Sequence, residues 1–177
     1  MSPVRLRRAE PGDADFLVEL RNRTDVEPYL SARASKDRAS VLAEIERSRA
    51  EPEAHGRFVI ELDGERAGTT AFERVNERSR IAHLSGLAVA PGFRGRGVAG
   101  EAARLLQRHL IVELGYHRLE MEVYGFNERA LRHAERAGWI REGVKRKAYE
   151  RHGEWVDGVL YGLIEEDLRA TPETEES

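Results

Sequence analysis

The sequence predicts a mixed α/β (α+β) fold: a single domain built on a mostly antiparallel sheet, with a central β-loop-α-β crossover and helices on both faces. Three observations predict it. Residues 57–72, RFVIELDGERAGTTAF, are two β-rich runs about an Asp63-Gly64 turn, the pattern of a hairpin. Residues 81–90, IAHLSGLAVA, lead through a glycine-rich loop into apolar residues at helical spacing: Val98, Ala102, Leu105, Leu106, Leu110 and Leu114. The length, 177 residues, suits one domain with its own core.

The remaining elements follow in chain order. Val4 and Leu6 alternate in a short strand, and Pro11-Gly12-Asp13 is a turn that can cap the helix marked by Phe16, Leu17 and Leu20. SKDRASVLAEIERSRAEP sets Val41, Leu42 and Ile45 among charges and stops at Pro52, which reads as a surface helix with solvated charges. RVNERSR is the turn before the third strand, in which Gly86 marks a bulge or a close backbone approach. Gly115 C-caps the long helix. RLEMEV alternates Leu119, Met121 and Val123 as a strand. NERALRHAERAGW is a short helix with Asn127 at its N-cap and Gly138 at its end. WIREGVKRKAYE and VDGVLYGLIEEDL are two strands around a turn at His152-Gly153. The order is β α α β β β α β α β β, with a domain over 1–168 and an acidic flexible tail over 169–177.

Composition removes several function classes. Charged residues make up 34% of the chain but sum to a net charge of -3, so there is no basic face for nucleic acid. The absence of cysteine excludes disulfides, thiolate nucleophiles and Cys-type zinc sites, and no metal is expected. The start, MSPVRLRRAEPGD, has no apolar h-region, and no window reaches the ~18 apolar residues of a membrane span. The expectation is a cytoplasmic protein without membrane or nucleic-acid partners.

The loop GRGVAG, residues 95–100, fits G-x-G-x-x-G, and Glu120 lies twenty residues past Gly100, where a dinucleotide site places its ribose-binding acid. An NAD-binding oxidoreductase nevertheless fits poorly. Pro91-Gly92-Phe93 and Arg94 intervene between strand and loop, a hairpin meander precedes it where a βαβ series is wanted, and Arg94 and Arg96 add guanidinium charge that a dinucleotide turn does not need. No Gly-Lys-Ser/Thr follows, so it is not a P-loop. Gly95 and Gly97 allow positive φ, and the amides they crowd together sit at a helix N-terminus that favours an anion. A solvated strand-to-helix turn is the plainer reading of the hexamer alone.

The flanking pattern carries a resemblance. LAVAPGFRGRGVAGEAARLL is similar to the cofactor motif of the GNAT family of N-acetyltransferases, Arg/Gln-x-x-Gly-x-Gly/Ala, here Arg94, Gly95, Arg96, Gly97, Val98 and Ala99. MEVYGFNERALRHAERAGWIREG resembles the family's second motif, and LRRAEPGDADFLVELRN and HGEWVDGVLYGL are similar to the branch that acetylates ribosomal-protein N-termini and polyamines. The resemblance covers about residues 4–168 and implies a GNAT-like fold with acetyl-CoA as donor. It implies that amides of Arg94, Gly95, Arg96, Gly97, Val98 and Ala99 hold the pyrophosphate, and that the backbone of Leu87, Ala88 and Val89 pairs with the pantetheine arm. Asn127 would bond the arm as well. A plain helix cap for Asn127, and core packing for Leu87 and Val89, stand beside those roles.

Acyl transfer to an amine needs a neutral nucleophile, a stabilised oxyanion and a protonated or well-solvated leaving thiolate. A lysine-like amine, with a pKa of about 10.4, needs a base at pH 7; a peptide α-amine, at about 7.7–8.0, needs little help. The candidate base is His83, which would share a strand face with Ser85 and Leu87 and resembles the histidine of the arylalkylamine members; a satisfied sheet histidine is the alternative. Glu73 is a second candidate base, otherwise a solvated hairpin charge. The oxyanion donor would be a backbone amide near Val89. Where many members carry a Tyr acid this chain has Ala134; His133 faces outward or packs, and Tyr124 is the remaining candidate acid. Asp157, Glu165 and Glu166 either line a cleft for a cationic substrate or are surface charge, while Trp139 and Trp155 read as core or rim packing. The expected activity is N-acetylation of a small-molecule amine or protein N-terminus. A CoA-binding regulatory module is the competing reading, supported by the missing Tyr, and a homodimer is left open by the family.

Overall fold

The hairpin of residues 57–72 shows how the fold is laid out. β2 (His55–Leu62) and β3 (Glu65–Asn76) pair antiparallel around Asp63 and Gly64, at φ 55° and 78°. A type I′ turn demands two left-handed residues there, and its twist matches that of the strands. β1 (Arg5–Arg8) adds on the other side of β2, with Leu6 opposite Ile60. Seven strands are hydrogen-bonded in the order β1-β2-β3-β4-β5-β7-β6. The computed structural model describes residues 3–31, 34 and 36–170. Its chain divides into two compact units: residues through Arg74 with Leu84–Leu106, and Val75–His83 with the chain from Gln107 onward.

In the first unit the period-2 alternation of β2 sends side chains into two separate cores. Val59 packs with Ala9, with Ala14 and Leu17 of α1 (Ala14–Arg21), and with Val41 and Ile45 of α2 (Arg38–Ala50). Ile60 and Leu62 pack with Ala67 of β3 and with Val98 and Ala102 of α3 (Val98–Arg108). Helices therefore cover both faces of this part of the sheet, as expected.

In the second unit the start of β4 (Ile81–Val89) pairs parallel with β5 (Arg118–Tyr124), from Ile81 opposite Arg118 to His83 opposite Glu120. β5 then pairs antiparallel with β7 (Glu154–Ile164), which also pairs with β6 (Ile140–Arg151). The final hairpin thus inserts its second strand beside β5. Its turn, His152 and Gly153, again has two positive φ values, 49° and 85°. Leu119, Val159, Tyr161 and Leu163 are buried, as are Ala134 of α4 (Glu128–Arg136) and Trp139.

Several expectations are corrected. The segment Glu165–Leu168 is not strand: β7 ends at Ile164 and α5 (Glu165–Ala170) begins. Asp167 Oδ2 accepts the Ile164 amide at 2.9 Å, and three carboxylates crowd the first turn, where the helix dipole favours them. Residues 171–177 of the expected tail lie outside the described residues. After Arg108 the long helix widens into a π turn over His109–Glu113, with Leu114 N bonded to His109 O, before Gly115 at φ 74° ends it. The charges of α2 are not all solvated, because Glu44 turns inward and accepts from Arg57 at 2.6 Å. Trp155 is 66% exposed, whereas Trp139 is buried. Among the described residues no helix is long and apolar enough to cross a membrane.

Asp13 does not cap α1 through its side chain. Its carboxylate is buried and accepts from Arg7 at 2.7 and 2.9 Å, from Arg66 at 2.8 Å and from the Glu10 amide at 2.8 Å. Burial favours protonation, but the Arg7 bonds and then the Glu10 amide and Arg66 outweigh it and hold the carboxyl at about 2. Asp13→Ala is expected to cost about 2–3 kcal/mol near neutral pH, because it strips two arginines and an amide of their common acceptor. A carboxyl depressed from 3.8 to about 2 stabilises the fold above the higher value and loses that contribution as pH falls through the lower one. Urea titrations should therefore show the wild-type and variant stabilities converging as the pH is lowered across that interval, and a gap independent of pH would refute the assignment.

Candidate active site

The end of β4 is fixed before the glycine loop begins. Ala90 N donates to Ala67 O at 2.7 Å. A Cβ on Gly68 would lie 2.3 Å from Ala88 O, so only glycine lets β3 approach the β4 main chain this closely. Pro91–Phe93 then form one 3₁₀ turn, closed by Phe93 N on Ala90 O. Gly95 and Gly97 follow at φ 74° and 73°, as the sequence pattern requires. Nothing lies within 4 Å of where their Cβ atoms would be, so backbone conformation and not crowding demands glycine there. Gly97 O accepts the Glu101 amide at 3.1 Å, which starts α3. The helix geometry itself gives the amides of Val98, Ala99 and Gly100 no partner inside the helix. Buried Val98 and Ala102 pin this end of α3 against Ile60, Leu62 and Ala67.

Both loop arginines have carboxylate partners. Arg94 donates through Nε to Val89 O at 2.9 Å and through NH1 to Asp25 at 2.7 Å. Arg94, and then Arg23, hold the Asp25 carboxyl well below the usual carboxylate range. Arg96 reaches Asp63 at 3.3 Å and lies 5.7 Å from the centre of the Phe93 ring. Leu87 is exposed, Ala88 buried and Val89 half-buried, so the core-packing alternative fails for Leu87 and holds in part for Val89. The alternation of burial along β4 leaves His83, Ser85 and Leu87 less covered than Ala82, Leu84 and Ala88. Gly86, at φ 67°, interrupts the strand as anticipated.

Elsewhere the candidate residues have the following surroundings. Glu73 is exposed on β3, opposite His55. His83 is half-buried and lies opposite Glu120, whose carboxylate accepts from Arg118 at 2.9 Å. Tyr124 ends β5, stacked on Phe126 at 5.6 Å, edge-on to Tyr149 at 5.8 Å and with Arg151 over its ring at 5.5 Å. Asn127 is the N-cap of α4, its Oδ1 accepting the Ala130 amide at 3.2 Å; an Asn capping in this way keeps its amide hydrogens as donors. Ala134 is fully buried, and His133 has a buried Nε2 without a hydrogen-bond partner among the described residues. Burial, and then Arg136, lower the His133 pKa. Asp157 accepts the Lys147 amide at 2.7 Å and Glu165 pairs with Arg169, so both acidic residues have structural partners, while Glu166 is exposed. Sequence reasoning misses Gly68 and Arg57, which lie close to Ala88 and Gly86 of β4, and Glu44, which holds Arg57; Gly86 is the one visible signal.

Comparison with known proteins bears on this geometry. The family model for the acetyltransferase (GNAT) domain matches residues 4–140. Spermidine N(1)-acetyltransferase of Escherichia coli (strain K12) is 24% identical over 177 residues, covering 97% of this chain and 91% of that one. The uncharacterized N-acetyltransferase YokL of Bacillus subtilis (strain 168), prophage-derived, is 35% identical over 82 residues, 46% of each chain, so the match spans under half of that relative. Among solved structures, Mycobacterium smegmatis RimJ in complex with CoA-disulfide has a TM-score of 0.80 at 27% identity, covering 93% of this chain and 83% of that one. A spermidine N-acetyltransferase SpeG chimera from Vibrio cholerae and hSSAT has a TM-score of 0.83 at 19% identity, covering 95% and 99%, a likeness of fold alone.

The open space around Gly95 and Gly97 sets a specific expectation. Gly97→Ala should cost roughly 1–2 kcal/mol through its left-handed φ alone. Gly97→Asn should recover part of that, because Asn tolerates this region. Thermal unfolding of the two variants checks it, and equal losses for both would show that crowding, not conformation, fixes the glycine.

Proposed function

The chain belongs to the GNAT acetyltransferase family, and on that premise we propose that it transfers the acetyl group of acetyl-CoA to a primary amine, on a small molecule or a protein N-terminus. The observation that carries the proposal is the strand-to-helix turn with two left-handed glycines at the head of α3. Amides of residues 95–99 would bind the diphosphate, helped by the helix dipole, whereas the Arg94 amide, expected to join them, donates to Pro91 O at 3.3 Å. Exposed ion pairs such as Arg96–Asp63 are worth only about 0–1 kcal/mol, so exchanging a carboxylate for a phosphate at Arg94 or Arg96 costs little. The main chain of Leu87, Ala88 and Val89 would pair with the pantetheine arm. Arg94 already uses the Val89 carbonyl, so Val89 would contribute its amide.

The chemistry is direct attack. The neutral amine nitrogen bonds to the thioester carbonyl carbon, and the carbonyl oxygen takes up charge that the Val89 amide would stabilise. The tetrahedral centre collapses, the C–S bond breaks, and CoA leaves as thiolate. One proton leaves the ammonium before attack, through His83 or, second, Glu73; a second leaves the nitrogen of the tetrahedral centre as the amide forms, and one returns to the thiolate from water or Tyr124. Asn127 would bond the arm with its Nδ2 hydrogens. The relative named for spermidine supports a polyamine as acceptor, and the RimJ neighbour, solved with CoA-disulfide, supports CoA as the donor's carrier. Ala134 favours a second reading, a CoA-binding module without turnover, because the side chain there offers no acid. Incubation with acetyl-CoA and a panel of amines, followed by free thiol, separates the two: release above background supports the enzyme, and CoA binding without release supports the module.

His83→Ala is expected to lower kcat for polyamines by about 10²-fold and to flatten the ascending limb of the pH–rate profile. Peptide α-amines should lose much less. An unchanged profile with a polyamine acceptor would remove His83 as the base.

A further inference from the structure

Arg57 is a buried charged residue, and a buried ion pair does not by itself argue a role in stability. It stands on β2 at 5% exposure. Its Nε and NH2 donate to Glu44 Oε1 at 3.0 and 2.6 Å, and NH1 donates to Thr69 Oγ1 at 3.1 Å. Thr69 in turn donates to Phe58 O at 2.7 Å. Glu44 Oε2 accepts from Arg21 at 2.9 Å, so two guanidinium groups share one carboxylate. Burial, and then the neighbouring Arg21, bring Arg57 down to about 10, which leaves it charged at neutral pH. The fork cannot rotate, because three of its bonds go to two residues on different elements.

Against this fixed fork lies Gly86. A Cβ there would be 3.1 Å from Arg57 NH1 and 3.3 Å from NH2. Gly86 is also the residue of β4 at φ 67°, where the strand departs from regular geometry. The next three residues are Leu87, Ala88 and Val89. On the neighbouring strand, Gly68 touches Ala88 O and adjoins Thr69. This stretch thus has Arg57 close against it at Gly86 and Gly68 close against it at Ala88.

We propose that Arg57, clamped by Glu44 and Thr69, is a positioning residue that holds the β4 main chain at Gly86 and so sets where the Leu87–Val89 amides meet the thioester. The inference rests on the proposed acetyl transfer. Arg57 itself touches no reacting atom. Its effect falls on the reacting end of the donor and not on the grip of residues 95–99 on the diphosphate.

The test uses Arg57→Lys, Gly86→Ala and the milder Glu44→Gln, each compared with wild type for CoA Kd by calorimetry, steady-state kcat/KM for acetyl-CoA with a polyamine acceptor, and Tm. Arg57→Lys and Gly86→Ala are expected to lower kcat/KM by about ten- to a hundred-fold, as a small misplacement of the oxyanion donor should. CoA Kd should stay within about three-fold of wild type, since the phosphate amides are untouched. Glu44→Gln, which keeps shape but weakens the clamp, should shift kcat/KM in the same direction and by less. If the variants lose Tm while the folded fraction keeps wild-type kcat/KM, the role is structural and the proposal is overturned. If Arg57→Lys does not fold, Glu44→Gln decides the matter, and an unchanged kcat/KM in that variant would overturn the proposal equally. A wild type that neither binds CoA nor releases thiol refutes the proposed acetyl transfer instead, a distinct failure.

Discussion

The chain must leave the sheet at Val89 and enter α3 at Val98 within a few residues, and that requirement organises the first unit. A helix start leaves amides that its own turn cannot satisfy. Left-handed backbone at Gly95 and Gly97 brings those amides to one end of the helix, while Val98 and Ala102 bury the opposite side against Ile60, Leu62 and Ala67. The apolar contacts supply the stability that a glycine-rich turn lacks, since glycine orders at an entropic cost. The same contacts fix the direction of the helix dipole relative to the end of β4. The placing of the loop thus depends on this apolar core as much as on its glycines.

Charge is used in two ways. Exposed pairs such as Arg96–Asp63 and Arg104–Glu101 contribute little energy and can exchange partners readily. The buried groups Asp13 and Arg57 are different. Each faces a desolvation cost, and each is offset by several directed bonds to separate elements. Asp13 ties β1 and β3 to the turn before α1, and Arg57 ties α2 to β2 and β3. Glu44 shows the balance of forces: burial favours its protonated form, yet the charges of Arg57 and Arg21 outweigh this and lower its pKa. Such groups hold separate elements together at a defined geometry.

Most of the fold is legible in the sequence because its signals are local. The β-rich run of residues 58–62, the Asp63-Gly64 and His152-Gly153 dipeptides and the apolar stripe of α3 each act over a few residues, and the elements they mark stand where they are expected. The strand order is not legible: nothing in Glu154–Ile164 says that it pairs with β5 as well as with its hairpin partner. α5 escapes notice because it follows β7 directly, Glu165 after Ile164, with no turn residue between strand and helix. At the site, Gly95, Gly97 and Asn127 are visible from type and spacing. Arg57 and Glu44 are not, because in one dimension they look like the solvated charges around them. The partners of Arg94 and Arg96, Asp25 and Asp63, are likewise far away in sequence.

The most direct measurement is a crystal structure of the protein grown with CoA. Anion capture by the helix start predicts the diphosphate within hydrogen-bond distance of the amides of residues 95–99, with Arg94 or Arg96 drawn off its carboxylate toward phosphate oxygen. CoA bound elsewhere, or a loop that remains closed on Asp25 and Asp63 at saturating ligand, would contradict it.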